Sequence, residues 1–185
     1  MRVLAISGSL RAASHNTALL RAASELAPAG VEVELFTGLD RLPPYNEDHD
    51  TDLAPAEVTR LRAEIADADA LLIATPEYNG TVPGQLKHAI DWASRPYGQG
   101  SALWGKPAAV IGASTTDYGA LWAQDQVRKA LGIAGARVLK DELPCSKAHL
   151  RFDADGRLAD SDIAGQLRAI LAALTEHRQA VATAA

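Results

Sequence analysis

The feature that most constrains this chain is a repeated alternation of short, unbroken apolar runs with longer segments of helical spacing. The runs are Val3–Ile6, Val31–Leu35, Ala70–Ala74, Ala108–Ala113 and a shorter Arg137–Leu139. Ala70-Leu-Leu-Ile-Ala74 places no polar residue at alternate positions, so a strand of this kind must be buried on both faces. Between the runs, apolar residues recur every three or four positions: Leu19, Leu20, Ala23 and Leu26; then Val58, Leu61 and Ile65; then Leu86, Ala89, Ile90 and Ala93; then Leu121, Val127 and Leu131. A last segment repeats the pattern with Ile163, Leu167, Ile170, Leu171 and Leu174. Strands alternating with helices imply right-handed crossovers and a parallel sheet covered on both sides. The sequence predicts an α/β fold, a doubly wound three-layer sandwich on a five-stranded parallel sheet.

No repeat, low-complexity linker or composition break divides the chain, so one domain over residues 1–185 is expected. The Ala-rich end after Val181 is expected to fray. Cys145 is the only cysteine, which excludes an internal disulfide framework. Lys and Arg total 18 against 23 Asp and Glu, a net charge of −5, and they form no basic cluster. Nucleic acid and anionic membranes both need such a cluster, so neither is an expected partner. The apolar run at the start is too short for a signal peptide, and nowhere do about 18 apolar residues follow one another. A cytoplasmic protein is the expectation.

In doubly wound folds ligands sit outside the carboxyl ends of the strands, where strand order reverses. Three segments occupy such positions. Gly8–Thr17 follows the first strand and opens the first helix, bringing short hydroxyl and amide side chains, Arg11 and free helix N–H groups together. A phosphate dianion requires such a set. There is no Gly-Lys-Ser/Thr and no Gly-x-Gly-x-x-Gly, so a terminal monophosphate fits better than a triphosphate or a dinucleotide pyrophosphate. Ser14 or Asn16 could equally be an ordinary N-cap, but capping leaves Ser9 and Arg11 without a role.

The second segment, Thr75–Lys87, holds two prolines and two glycines around Tyr78, a rigid loop suited to a flat heterocycle with a polar rim. It could also serve only to start the third helix, with Pro83 at an early helical position. In the third, Gly112–Gly119, small residues would let a ligand approach the backbone. Together the three describe one crevice with a phosphate pocket at one end and a flat-ring shelf beyond, the outline of a mononucleotide site.

Other chemistries fit poorly. Asp48–Asp52 starts like a calcium loop, but Leu53 stands at the glycine position and Thr59 at the closing glutamate, and no two histidines have metal-ligand spacing, so no metal is expected. Ser7 and Ser9 follow a strand without the Gly-x-Ser-x-Gly elbow of a hydrolase. Trp92, Trp104 and Trp122 read as packing residues rather than cofactor partners.

Pro76-Glu-Tyr-Asn-Gly-Thr-Val-Pro-Gly-Gln-Leu-Lys-His-Ala-Ile-Asp-Trp-Ala-Ser-Arg95, with Gly8-Ser-Leu-Arg11 upstream and Gly112-Ala-Ser114 downstream, resembles the NAD(P)H-dependent FMN reductase family. Its flavodoxin-like members include bacterial quinone, chromate and azo-dye reductases. The resemblance implies bound FMN, NADPH or NADH as hydride donor and a small acceptor such as a quinone. It implies that Ser9, Arg11, Ser14, Asn16 and Thr17 hold the FMN phosphate with His15 beside them. It further implies that Pro76, Glu77, Tyr78 and Asn79, with Gly80 in the same loop, line the isoalloxazine largely through their backbone, and that Ser114 lies near the ring. The cofactor would carry the chemistry, so no catalytic side chain is expected. A homodimer or homotetramer, in which a neighbouring subunit helps wall the pocket, is also implied. Two positions depart from the family: His88 replaces an Asn, and Gly119-Ala-Leu-Trp122 replaces Gly-Gly-Ala-Arg.

Two rival readings are a flavodoxin-type electron carrier and a flavin-free nucleotide-binding domain. Carriers cover both flavin faces with aromatic side chains. Here aromatics are only 5% of the chain and the ring loop offers Tyr78 alone, which favours an open, substrate-accessible site.

Overall fold

Each apolar run becomes a strand and each periodic segment a helix. The computed structural model describes residues 1–51 and 53–183. In chain order these are β1 (Arg2–Ser7), α1 (His15–Leu26), β2 (Glu32–Leu35), α2 (Ala56–Asp67), β3 (Ala70–Thr75), α3 (Gly84–Ala93), β4 (Pro107–Ala113), α4 (Leu121–Ile133), β5 (Arg137–Val138), β6 (Pro144–Cys145) and α5 (Ser161–Thr183). The pairings are parallel in the order β2-β1-β3-β4-β5. The chain moves outward from β1 to β2, then returns to the other side of β1 for β3. Strand order therefore reverses between β1 and β3.

Every residue of β3 and β4 is buried, and successive residues feed opposite faces. Leu4, Ile6, Leu71, Ile73 and Val110 pack with α2, α3 and α4 on one side. Val3, Ala5, Leu72, Ala109 and Ile111 pack with α1 and α5 on the other. Trp92 is fully buried, its indole N–H donating to the Pro43 carbonyl at 2.9 Å, whereas Trp104 and Trp122 are about half exposed.

The fifth strand is broken in two. β5 pairs with the start of β4 and β6 with its end, Gly112 opposite Pro144 and Ala113 opposite Cys145. Lys140, Asp141 and Glu142 lie between the two pieces, too polar for a sheet interior, and Glu142 instead meets Arg128 at 2.7 Å. Pro144 lacks a donor and is tolerated because this strand is the edge.

In the acidic loop, Asp50 pairs with Arg62 of α2 at 2.7 Å; Asp52 lies outside the described residues. Among the described residues no group of three or more His, Cys, Asp or Glu is placed to hold a metal ion, and no helix is long and apolar enough to cross a membrane. Helix α5 continues through Thr183; Ala184 and Ala185, to which the expected fraying extends, lie outside the described residues.

Candidate functional site

Because β1 and β3 are neighbours whose connections leave to opposite sides, the chain parts at Ser7 and Thr75 and opens a cleft there. The cleft is about 290 Å³, and Ser9, Arg11, Ser14, His15, Asn16, Pro76, Glu77, Tyr78 and Ser114 line it. Nine of the twelve expected site residues thus meet in one place. Thr17, Asn79 and Gly80 do not line it.

At one end, Ser14 is the N-cap of α1, its hydroxyl oxygen accepting from the Thr17 N–H at 3.3 Å. A helix leaves its first N–H groups without partners inside it, so those of His15 and Asn16 remain for a ligand at the positive end of the helix dipole. Arg11 is exposed and enters no ion pair among the described residues. His15 stacks on Phe152 with ring centroids 5.6 Å apart. Burial, reinforced by the Arg11 charge and the nearby His149, holds its imidazole below the ordinary histidine value, so the ring is mostly neutral at pH 7 in the flavin-free protein.

Two expected phosphate ligands have other employment as well. The buried Asn16 side chain donates to the Ala113 carbonyl at 3.0 Å and accepts from the Ala113 N–H at 2.9 Å, clamping α1 to the end of β4. The Thr17 hydroxyl lies 2.8 Å from that of Ser7 and ties the helix to β1.

At the other end, Tyr78 and Thr81 exchange backbone hydrogen bonds of 3.2 and 3.1 Å, with positive φ at Asn79 (53°) and Gly80 (73°). This is a two-residue turn of type I′, for which Asn-Gly is the strongest sequence signal. Helix α4 braces it. The Glu77 carboxylate accepts from the Ala123 N–H at 3.1 Å in the first turn of that helix. Gln126 donates to the Gly80 carbonyl at 3.2 Å and accepts from the Thr81 hydroxyl. The Trp122 ring lies 3.6 Å from the point a Cβ on Gly80 would occupy. Sequence reading did not give Gln126 a role, although its spacing from Trp122 puts both on one face of α4.

In the third segment, Ser114 lines the cleft and its hydroxyl lies 3.0 Å from that of Thr116. Ala113, Ser114 and Thr115 are the small residues of this segment that line the cleft, whereas its two glycines face inward. A Cβ on Gly112 would lie 2.8 Å from the Gln124 amide nitrogen, and one on Gly119 (φ +57°) 2.5 Å from the Pro144 carbonyl carbon. Both glycines make room for the protein's own α4 and β6. His88 is likewise internal in role, accepting from the Tyr45 N–H at 3.1 Å. Cys145 is buried, which pushes its thiol up to about 11 and leaves it un-ionised.

A larger groove of about 560 Å³ runs along the outer flank of α1, between that helix and the turn at 152–158. It shares Ser14 and His15 with the cleft; Arg21 and Arg157 line it together with Glu25, Asp153 and Asp155, and the ends of β1 and β3 do not. A phosphate dianion is better served by the smaller cleft, where Arg11 and the helix N–H groups converge.

Residues 1–150 match the family described as NADPH-dependent FMN reductase. The chain is 47% identical over 161 residues to an NAD(P)H-dependent FMN reductase of Pseudomonas aeruginosa, covering 86% of this chain and 85% of that protein. It is 38% identical over 164 residues to a 2-hydroxy-1,4-benzoquinone reductase of a Burkholderia species, covering 88% and 87%. Among solved structures, a flavoenzyme NAD(P)H:(acceptor) oxidoreductase of Paracoccus denitrificans superimposes with a TM-score of 0.83 at 38% identity, over 96% of this chain and 97% of that one. A flavodoxin of Pseudomonas aeruginosa shares the fold at 22% identity and a TM-score of 0.60, over 95% and 99%. This flavodoxin-like chain, with its cleft at the β1/β3 reversal, belongs to the NADPH-dependent FMN reductase family.

Proposed function

We propose that the protein is an NAD(P)H-dependent FMN oxidoreductase acting on quinone-type acceptors, with FMN held along the edge formed by β1, β3 and β4. One observation carries the assignment of the site. A single cleft joins Arg11, in no ion pair among the described residues, and the start of α1 at one end to the Tyr78–Thr81 turn at the other. The donor set suits a phosphate, and the turn suits a flat ring with a polar rim.

In this reading Arg11 and the His15 and Asn16 N–H groups meet the phosphate charge, while Ser9 and Ser14 offer hydroxyls. His15 adds a ring N–H hydrogen-bond donor beside the phosphate. Thr17 and the Asn16 side chain position the helix start. The ring is seated by Pro76–Gly80 and Ser114, and the Asn79 and Gly80 N–H groups, which the turn itself does not use, face no competing partner within it. FMN held there would supply the redox chemistry, accepting a hydride from NADPH or NADH and passing two electrons to the acceptor. No side chain is needed as acid, base or nucleophile; the protein's work is to orient the ring and leave one face open. Tyr78 is the one aromatic side chain lining the cleft among the described residues, which supports an open face over the covered flavin of an electron carrier. A homodimer or homotetramer in the cytoplasm, each subunit a single domain over residues 1–185, completes the proposal.

One open face forces the two substrates to alternate. Initial rates with varied NADPH and benzoquinone are expected to give parallel double-reciprocal lines. Intersecting lines from a compulsory ternary complex would refute the shared face, and a flavin-loaded protein that does not oxidise NAD(P)H would make it a carrier.

A further inference from the structure

Resting on the FMN reading above, we propose that Trp122, stacked on Tyr118, is the docking wall for the electron acceptor and selects flat, uncharged aromatic rings. Trp122 is thereby a specificity-determining residue.

The two rings lie 5.2 Å apart at 23°, and both are more than half exposed, at 52% for Trp122 and 59% for Tyr118. Packing in the core does not account for them. They are held in fixed relation to the cleft. Trp122 lies over Gly80 at the tip of the turn, Gln126 one helical turn on grips both Gly80 and Thr81, and Glu77 binds the N–H of Ala123, next to Trp122 in the chain. Tyr78, itself 52% exposed, closes the same turn and lines the cleft. The turn therefore links the cleft, which Tyr78 lines, to the Trp122–Tyr118 pair beside Gly80.

The surrounding charges are already satisfied. Asp117 pairs with Lys147 at 3.1 Å, Asp125 with Arg128 at 2.7 Å, and the Glu77 carboxylate caps α4. The two rings thus offer apolar faces beside paired charges, so stacking contributes most to what binds there. The apolar groove lined by Val82, Ile90, Ala130 and Ile133 shares Gln126 with the brace but neither ring. The link of the rings to the cleft through the turn is why we assign them to the acceptor.

The test uses full-length, FMN-loaded wild type, Trp122→Ala and Trp122→Phe, with 1,4-naphthoquinone and ferricyanide as acceptors. Ferricyanide is anionic and has no flat face. Trp122→Ala is expected to raise the naphthoquinone KM on the order of tenfold, the worth of one aromatic contact, with the ferricyanide rate within about twofold. Trp122→Phe is expected to restore most of the loss. Equilibrium dialysis of naphthoquinone against the oxidised protein, without NADPH, should show the same ordering of affinities. Equal naphthoquinone affinity in wild type and Trp122→Ala overturns the proposal, as does an equal loss with both acceptors. A Trp122→Ala protein that changes its sedimentation while keeping naphthoquinone affinity assigns the rings to a second copy and also overturns it. A wild type that reduces neither acceptor overturns the FMN reading itself, and this inference with it.

Discussion

Arg11 and Asn16 sit in the same loop-to-helix segment and do opposite things. Arg11 is exposed and free of ion pairs among the described residues, so it contributes little to folding. Arg11→Ala is expected to leave the melting temperature of the flavin-free protein unchanged while weakening FMN binding by about 2 kcal/mol, roughly 30-fold, measured by fluorescence titration. Asn16 is buried and satisfies both backbone groups of Ala113. Asn16→Ala strands those groups and should cost about 2 to 4 kcal/mol in urea unfolding of the flavin-free protein. An undiminished midpoint would mean that Asn16 serves only a ligand. The sequence could not separate these two roles, because a phosphate and a strand end ask for the same amide and the strand partner is 97 residues away.

His15 adds a pH dependence whose sign follows from its depressed folded-state value. Above about pH 6.5 the imidazole is neutral in both folded and unfolded chains and contributes nothing. Below that, the unfolded chain takes up the proton first, so the flavin-free protein loses stability as the pH falls through the unfolded and then the folded value. Melting temperatures between pH 7.5 and 5.5 are expected to fall less for His15→Gln than for wild type. Equal falls would show that His15 is not the group responsible.

At the scale of elements, two glycines with left-handed backbones separate turn geometry from close packing. Gly80 has room for a Cβ, its nearest neighbour being Trp122 at 3.6 Å, so Gly80→Ala carries mainly the backbone penalty of about 1 kcal/mol. At Gly119 a Cβ would meet the Pro144 backbone at 2.5 Å, and neither chain can yield without breaking the contact of α4 with the edge strand. Gly119→Ala is expected to cost more than about 3 kcal/mol, by adding overpacking to the same penalty, and to show it in thermal unfolding. Comparable losses for the two would place the strain elsewhere. The main strands and helices were legible because period two and period 3.6 leave different apolar patterns. The division of the fifth strand was not, since Pro144-Cys145 is too short for any pattern and its pairing with Gly112 and Ala113 is set by the sheet. The Asn79-Gly80 turn was legible in principle, its dipeptide being a local signal.

At the scale of the molecule, the cleft exists because β1 has β2 on one side and β3 on the other, so that the loops after β1 and β3 part there. Segments at 8–17, 75–81 and 112–116, far apart in sequence, reach one edge for that reason alone. This much followed from the βα alternation. The brace that α4 lays against the ring turn, through Glu77, Trp122 and Gln126, did not, because side-chain contacts between a loop and a helix leave no periodic trace.

The most direct measurement is the visible absorption spectrum of wild type and Arg11→Ala after incubation with FMN and desalting, followed by anaerobic NADPH and then benzoquinone. Wild type is expected to retain a yellow chromophore that NADPH bleaches and benzoquinone restores, while Arg11→Ala emerges colourless with an unchanged melting temperature. A wild type that releases all its flavin, or an Arg11→Ala protein that keeps it as firmly as wild type, would contradict the placement of FMN in the β1/β3 cleft.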